Sequence, residues 1–190
     1  MTELEQYIHS YFGVSKEEVS RISDCFHLET LEKGDYFLRT EKICNKLSFH
    51  KSGLIRVYAL EDGKEITQWI SSKGYFLTDL SGLIFNKPTR YNIQALSDCE
   101  IYTITKQDYQ NIANVIPRWH ELEKLFIARC FIFLEERIFA LLSMTAEERY
   151  QLLFNQQPEL FNQVPLQYLA SMLGITPETL SRIRKKIGKT

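Results

Sequence analysis

LQYLASMLGITPETLSRIRK, residues Leu166 to Lys185, is the stretch whose reading decides the architecture of this chain. Ala170 is small enough for a second helix to cross closely over the first. Four residues later Gly174 stands where the chain must reverse, and glycine takes a positive φ without steric cost. Leu169, Leu173, Ile175, Leu180 and Ile183 fall at the positions that seal two helices joined by a short turn into one small core. Two helices crossing in this way leave the second one proud of the body.

That second helix carries its own start signal. Thr176 is a good N-cap, Pro177 suits the first helical position, and Glu178 suits the positive end of the helix dipole. Its outward residues are Glu178, Ser181, Arg182, Lys185 and Lys186, flanked by Thr179 and Arg184. Residues able to read base edges thus stand near its start, and phosphate-binding cations stand beyond them. The expected DNA-binding set is Thr176, Pro177, Glu178, Thr179, Ser181, Arg182, Arg184, Lys185 and Lys186. An ordinary helical hairpin with a solvated basic face is the plain alternative, and Ala-x-x-x-Gly alone does not exclude it.

Composition is neutral on this point. The chain has 190 residues, a net charge of -1 and a pI near 6.4, so it is no globally basic nucleic-acid coat. Positive charge is local: from Thr176 to Thr190 stand Arg182, Arg184, Lys185, Lys186 and Lys189 against the single acid Glu178. Cys25, Cys44, Cys99 and Cys130 form no C-x-x-C pair, and His9, His27, His50 and His120 are equally scattered, so no metal site is expected. Buried free thiols of a reducing cytoplasm are the simplest reading of the cysteines. Cys130 beside Arg129 is the one hint of a reactive thiol. No apolar run reaches the length of a membrane span, and MTELEQYIHSYF has acids where a signal peptide needs bases, so a cytoplasmic protein with no membrane partner is expected.

Along the chain the periodicity changes three times. Residues up to about Phe26 read as helical, with Ser15-Lys16-Glu17-Glu18 in the form of a capping box. From His27 to about Thr105 come short alternating runs: Tyr36–Leu38, Lys46–Phe49, Leu54–Tyr58, Glu65–Ile70, Tyr91–Ala95 and Glu100–Ile104. Glu61-Asp62-Gly63-Lys64 between two of them is a hairpin signal. Evenly spaced short strands imply a β-sandwich or roll. From Pro117 to Met144 no glycine or interior proline interrupts a helical pattern about 40 Å long. Trp119, Leu122, Phe126, Cys130, Phe133 and Ile138 form one apolar stripe, widened by Leu125, Ile132, Leu141 and Leu142, with Phe131 facing elsewhere. A helix this long beside a roll is expected to pair with its copy, with Trp119, Leu122, Phe126, Cys130 and Phe133 in the seam. Thr145-Ala146-Glu147-Glu148 then opens another helix. The expected fold is α+β: a roll over 1–116, a dimerisation helix over 117–144, and an all-α helix-turn-helix unit over 145–190.

A jelly roll, a long connecting helix and a terminal helix-turn-helix together resemble the catabolite-activator (Crp/Fnr) superfamily of bacterial transcription regulators, over nearly the whole chain. Lys33-Gly34-Asp35, Ser52-Gly53-Leu54-Ile55-Arg56 and Gly74-Tyr75-Phe76 resemble its roll turns and its approach to the phosphate-binding cassette. Thr176-Pro177-Glu178-Thr179-Leu180-Ser181-Arg182 resembles its recognition helix, in which a glutamate and an arginine read bases. The branch resembled is the Bacteroidetes-like one with a short, wingless reader, since few residues follow this helix. The resemblance implies a roll of the cyclic-nucleotide-binding type, with an effector pocket formed by Phe76, Leu77, Thr78, Asp79, Leu80, Thr89, Arg90, Tyr91 and Cys130. It departs from the family within that cassette. Thr78-Asp79 replaces the Gly-Glu pair that holds phosphate and ribose, and Thr89-Arg90 replaces the Arg-Ser pair that neutralises the phosphate.

The expected activity is therefore sequence-specific regulation of transcription by a homodimer on double-stranded DNA, with RNA polymerase as a further candidate partner. No cofactor is expected beyond a small effector other than cyclic nucleotide, or none. The competing reading is a cyclic-nucleotide-responsive module acting through protein contacts. Enzymatic function is not expected: the only acid–base group that can be assembled on paper joins Asp79 with Glu100 or His50.

Overall fold

A computed structural model of the chain describes residues 1–187, so Lys189 of the basic run and the last three residues of the 145–190 unit lie outside it. Two helices come first, α1 (Glu3–Phe12) and α2 (Lys16–Ser23). Six strands follow: β1 (His27–Leu31), β2 (Tyr36–Leu38), β3 (Lys46–Ser52), β4 (Ile55–Glu61), β5 (Lys64–Ser71) and β6 (Phe76–Leu77). Helix α3 (Leu80–Phe85) separates them from β7 (Tyr91–Ala95) and β8 (Cys99–Thr105). The rest is helical: α4 (Lys106–Val115), α5 (Trp119–Ser143), α6 (Ala146–Gln156), α7 (Leu160–Gln163), α8 (Leu166–Met172) and α9 (Pro177–Ile187).

The strands form two antiparallel four-stranded sheets, ordered β1-β8-β3-β6 and β2-β7-β4-β5. Phe37, Leu38, Ile55, Leu77, Ile93 and Ile101 fill the space between them. Alternation is clearest in β8, where Cys99, Ile101 and Thr103 are buried and Glu100 and Tyr102 between them are only half-buried. Asp62 and Gly63 between β4 and β5 have φ of 49° and 73°, which is the backbone of the tight turn that Asp-Gly favours. Gly53 has φ +90°, and a Cβ there would fall 2.3 Å from the Asp98 carbonyl oxygen, so this mid-roll turn admits glycine alone.

A helical layer closes the other side of the first sheet. Phe12 stacks on both Trp119 and Phe126, with centroids 5.0 and 4.7 Å apart, and joins Leu47, Phe49, Ile104 and Leu122 in one core. Ser15 and Thr145 start α2 and α6 with complete capping boxes closed by Glu18 and Glu148. The sequence pattern offered no separate reading for β1, β6, α3, α4 or α7.

A third core unites the C-terminal helices with the roll: Leu54 and Ile70 lie in one cluster with Tyr150, Leu160, Leu169 and Leu180. The helical end is thus seated on β5 rather than tethered loosely to it.

Candidate functional site

Helices α8 and α9 meet through a turn whose geometry follows from its residues. Gly174 has φ +67°, and a Cβ there would touch Leu141 Cδ2 at 3.5 Å. The Ile175 N–H donates to the Ala170 carbonyl at 3.0 Å, returning the chain over α8. Leu169, Ala170 and Leu180 are wholly buried, and Leu173 and Ile183 nearly so. Thr176 caps α9 by accepting from the Thr179 N–H at 3.2 Å. Backbone and Thr176 hydrogen bonds hold the Glu178 carboxyl below the usual carboxylate range.

With Leu180 and Ile183 turned inward, the opposite face of α9 is open. Thr176, Pro177, Glu178, Ser181, Arg182, Arg184, Lys185 and Lys186 are exposed, and Thr179 is half-buried. Arg182 Nη2 donates to Thr179 Oγ1 at 3.1 Å, which lays the guanidinium back along its own helix. Lys186 Nζ pairs with Glu147 of α6 at 2.8 Å. Arg184 and Lys185 complete the basic side of this face, with Glu178 at its start.

Contacts without any local mark in the sequence hold this unit to the roll. Arg56 of β4 is 2% exposed. It lies over the Tyr168 ring of α8 at 3.5 Å and the Tyr58 ring at 4.3 Å, and donates to Thr67 Oγ1 and to Glu65 Oε2. The Thr67 N–H donates to Ser171 Oγ at 2.9 Å, and Gln157 Nε2 donates to the Tyr75 hydroxyl at 3.0 Å. An arginine between two apolar strand residues offers no signal that its partner lies more than a hundred residues away.

The cassette residues lie at the start of α3 but do not converge on an open site. Leu77 is core, 3% exposed. The Thr78 hydroxyl donates to the Lys46 carbonyl at 2.9 Å. Asp79 caps α3: one carboxylate oxygen accepts from the Gly82 N–H at 2.8 Å, and the other accepts from the Thr89 hydroxyl at 2.7 Å. Phe76 packs edge-on against Phe126, and Leu80 and Cys130 line the same apolar core. Arg90, expected in the pocket, is instead exposed on the roll surface, its guanidinium 5.1 Å from the half-buried Tyr91 ring. Thr89 is buried and bonded to Asp79, and Arg90 lies on the outside of the bend that leads into β7.

The seam expected on α5 requires a larger correction. Trp119, Leu122 and Phe126 are 2% exposed or less and pack on α1, α2 and α4 of their own chain, so they offer no surface to a copy. Cys130 is half-buried on the same core, whereas Phe133, edge-on to Trp69 with centroids 5.3 Å apart, keeps 41% of its surface exposed and is not withdrawn from a copy. The open apolar side is a neighbouring one: Ile127, Phe131, Leu134, Ile138 and Leu141, exposed between 39% and 68%. Both stripes recur every three or four residues, so the sequence pattern alone does not say which one the roll will claim.

Two smaller expectations are also corrected. Burial pushes the Cys130 thiol up to about 11, and Arg129 donates to the Ser10 and Tyr11 carbonyls, so Cys130 is not an activated thiol. The acid–base group does not assemble either. His50 is buried between Ser71 Oγ and the Ser52 carbonyl, Glu100 pairs with Lys51, and Asp79 is engaged by Thr89. Among the described residues no cluster of metal ligands forms, and no helix is long and apolar enough to cross a membrane.

Residues 28–115 match the family model described as a cyclic nucleotide-binding domain. No curated protein matches the chain. Among solved structures, FixK2 from Bradyrhizobium japonicum superposes with a TM-score of 0.72 at 18% identity, over 86% of this chain and 85% of that one. The Thermus thermophilus Catabolite Activator Protein gives 0.58 at 19% identity, over 96% and 86%. The regulatory domain of Toxoplasma gondii PKA with cAMP gives 0.53 at 18% identity, over 58% of this chain and 43% of that one, so this chain spans less than half of its length. Over residues 28–115 the roll is thus similar to a cyclic nucleotide-binding domain, and the fold of the whole chain is that of FixK2 and the Catabolite Activator Protein. The roll's cassette fits a cyclic phosphate poorly: Arg90 is turned out to the surface instead of standing as a counter-charge, and the Asp79 carboxylate is already engaged by Gly82 and Thr89.

Proposed function

We propose that this chain is a homodimeric, sequence-specific DNA-binding transcription regulator of the Crp/Fnr type. In this reading 1–116 is a sensor roll, 117–144 a dimerisation helix and 145–190 a helix-turn-helix reader. The observation that carries it is the division of α9 into a sealed inner face and an open polar one. Leu180 and Ile183 are buried, while Glu178, Ser181, Arg182, Arg184 and Lys185 stand exposed. Such a helix fits a major groove, which is wide enough to admit it.

Arg182 reads a guanine edge through two parallel hydrogen bonds once it leaves Thr179, and Glu178 accepts from a cytosine amino group. Thr179 and Ser181 assist. Thr176 and Pro177 set the helix start, while Arg184, Lys185 and Lys186 bind phosphates, Lys186 exchanging Glu147 for the backbone. Ile127, Phe131, Leu134, Ile138 and Leu141 form the seam with a second copy, spaced as a coiled-coil stripe. The dimer presents two readers to major grooves about one helical turn, ~34 Å, apart on an imperfect palindrome. A cytoplasmic location and a contact with RNA polymerase follow from that task.

In this reading the roll does not take cyclic AMP, because Arg90 faces outward and Asp79 is spent on Gly82 and Thr89. The second reading, a cyclic-nucleotide-responsive module working through protein contacts, draws on the family match over 28–115. Two experiments decide. Binding-site selection from random duplexes is expected to yield a palindrome, and Arg182→Ala to cost about 1–3 kcal/mol while relaxing one position per half-site. A uniform loss across all sequences contradicts the assigned role. Calorimetry is expected to show no micromolar binding of cyclic AMP or cyclic GMP, and such binding would favour the second reading.

A further inference from the structure

The roll, the long helix and the C-terminal helices leave a cavity of about 140 Å³ where they meet. Trp69 of β5 and Phe133 of α5 form its aromatic wall; Ala140 of α5 and Met172 and Leu173 at the end of α8 form part of its apolar lining. Arg137 of α5 and Arg149 of α6 stand in the same lining. The volume is close to that of apolar cavities of about 150 Å³ that accept benzene.

Both guanidiniums are half-buried, and neither is ion-paired among the described residues. Arg137 Nη2 reaches only the Met172 carbonyl, at 3.5 Å, and its guanidinium lies 5.0 Å from the Trp69 ring. Burial lowers the Arg137 pKa, the mark of a cation drawn out of water without a compensating anion. Arg149 is better held, donating to the Leu173 carbonyl at 3.0 Å and to the Met144 carbonyl at 2.6 Å. The one carboxylate in the lining, Glu136, is exposed, so the cavity carries two cations against a single solvated anion.

We propose that this cavity binds a small aromatic carboxylate, its ring against Trp69 and Phe133 and its carboxylate on the Arg137 guanidinium. An aryl ring matches the volume and the aromatic wall, and a planar carboxylate matches the unused fork of guanidinium donors. Such a ligand touches the roll, α5, α6 and α8 together. It therefore favours one seating of the C-terminal helices over others, by as much as its affinity differs between them. This consequence rests on the DNA-regulator reading; the binding site itself does not.

The test uses the full chain and ¹⁹F NMR with two probes of the same shape, 4-fluorobenzoate and its neutral counterpart 4-fluorobenzamide. Saturable broadening of the benzoate signal in the millimolar range is expected, with the amide weaker by about tenfold or more. Arg137→Gln is expected to weaken benzoate by about tenfold while leaving the unfolding midpoint near that of the parent, with Arg137→Lys intermediate. Ala140→Phe, which fills the floor, is expected to abolish binding of both probes. Equal broadening by acid and amide, no saturation, or a benzoate affinity unchanged in Arg137→Gln would overturn the site. Benzoate binding by a chain that selects no DNA sequence would remove the regulator reading and leave the site standing. DNA selection without benzoate binding would do the reverse.

Discussion

Two faces of α5 share one composition and one spacing and have opposite fates. The inner stripe, Trp119, Leu122 and Phe126, disappears into its own chain, whereas the neighbouring stripe, Ile127, Phe131, Leu134, Ile138 and Leu141, stays in water. Periodicity reports that a helix has apolar faces; it does not report what covers them. The aromatic partners decide the matter here. Phe12 and Tyr109 meet Trp119, while Phe12, Tyr11 and Phe76 meet Phe126, so the inner side is matched ring for ring. No such partner faces Phe131 among the described residues, and it is 68% exposed. An apolar stripe of that length open to water is the observation on which the proposed seam rests.

The sharpest way to break this contrast is to truncate one residue on each side. Phe126→Ala removes a ring packed on three others at zero exposure, and is expected to cost about 3–5 kcal/mol in urea unfolding. Phe131→Ala is expected to stay within about 0.5 kcal/mol when both proteins are measured below the concentration at which copies associate. Comparable losses at the two positions would mean that the outer stripe is also part of the folded core.

Local chemistry made much of the fold legible, and distance hid the rest. Tyr36–Leu38 and Tyr91–Ala95 are strands where alternation places them, and Ser15, Thr145 and Thr176 cap helices because each accepts from a backbone N–H three residues on. Gly174 and Asp62-Gly63 turn the chain as their positive φ requires. Helix α3 and strand β6 escaped because six and two residues carry too little periodicity to register. β1 escaped because it is an edge strand, its residues exposed or only half-buried. In the candidate site, the open face of α9 could be read from residue types alone. The Arg56–Tyr168 contact could not, nor could the junction cavity, because each is assembled from segments remote in sequence.

A charge on the outer stripe separates association from folding. Leu134→Arg is expected to leave the circular dichroism spectrum and the denaturation of the isolated chain unchanged, while sedimentation shows a monomer where the parent shows a dimer. Loss of the second reader then removes the avidity of paired half-sites, so affinity for a palindrome should fall by about a hundredfold or more. The intrinsic half-site preference should survive. A parent chain that is already monomeric at micromolar concentration would defeat the seam assignment without touching the inner core.

The smallest expected effect is also the most local, because one residue step along α5 crosses from the inner face to the outer. Cys130 is half-buried against the inner core and its thiol is pushed up to about 11, whereas an unburied thiol titrates near ~8.5. Burial disfavours the thiolate, so the alkylation rate of Cys130 should climb about tenfold per pH unit until the pH nears 11. A thiol placed one position on, by Phe131→Cys in a Cys130→Ser background, should level off near pH ~8.5 instead. At pH 8 the thiolate fractions differ by roughly a hundredfold or more, and the greater nucleophilicity of the more basic thiolate returns part of that, leaving roughly twentyfold in rate. Mass spectrometry of iodoacetamide-treated protein reads both sites. Matching pH profiles would place Cys130 in water and remove the chemical distinction between the two faces. An introduced outer thiol that reacts slowly in the dimer and quickly once Leu134→Arg is added would show that a second copy is what covers the outer face.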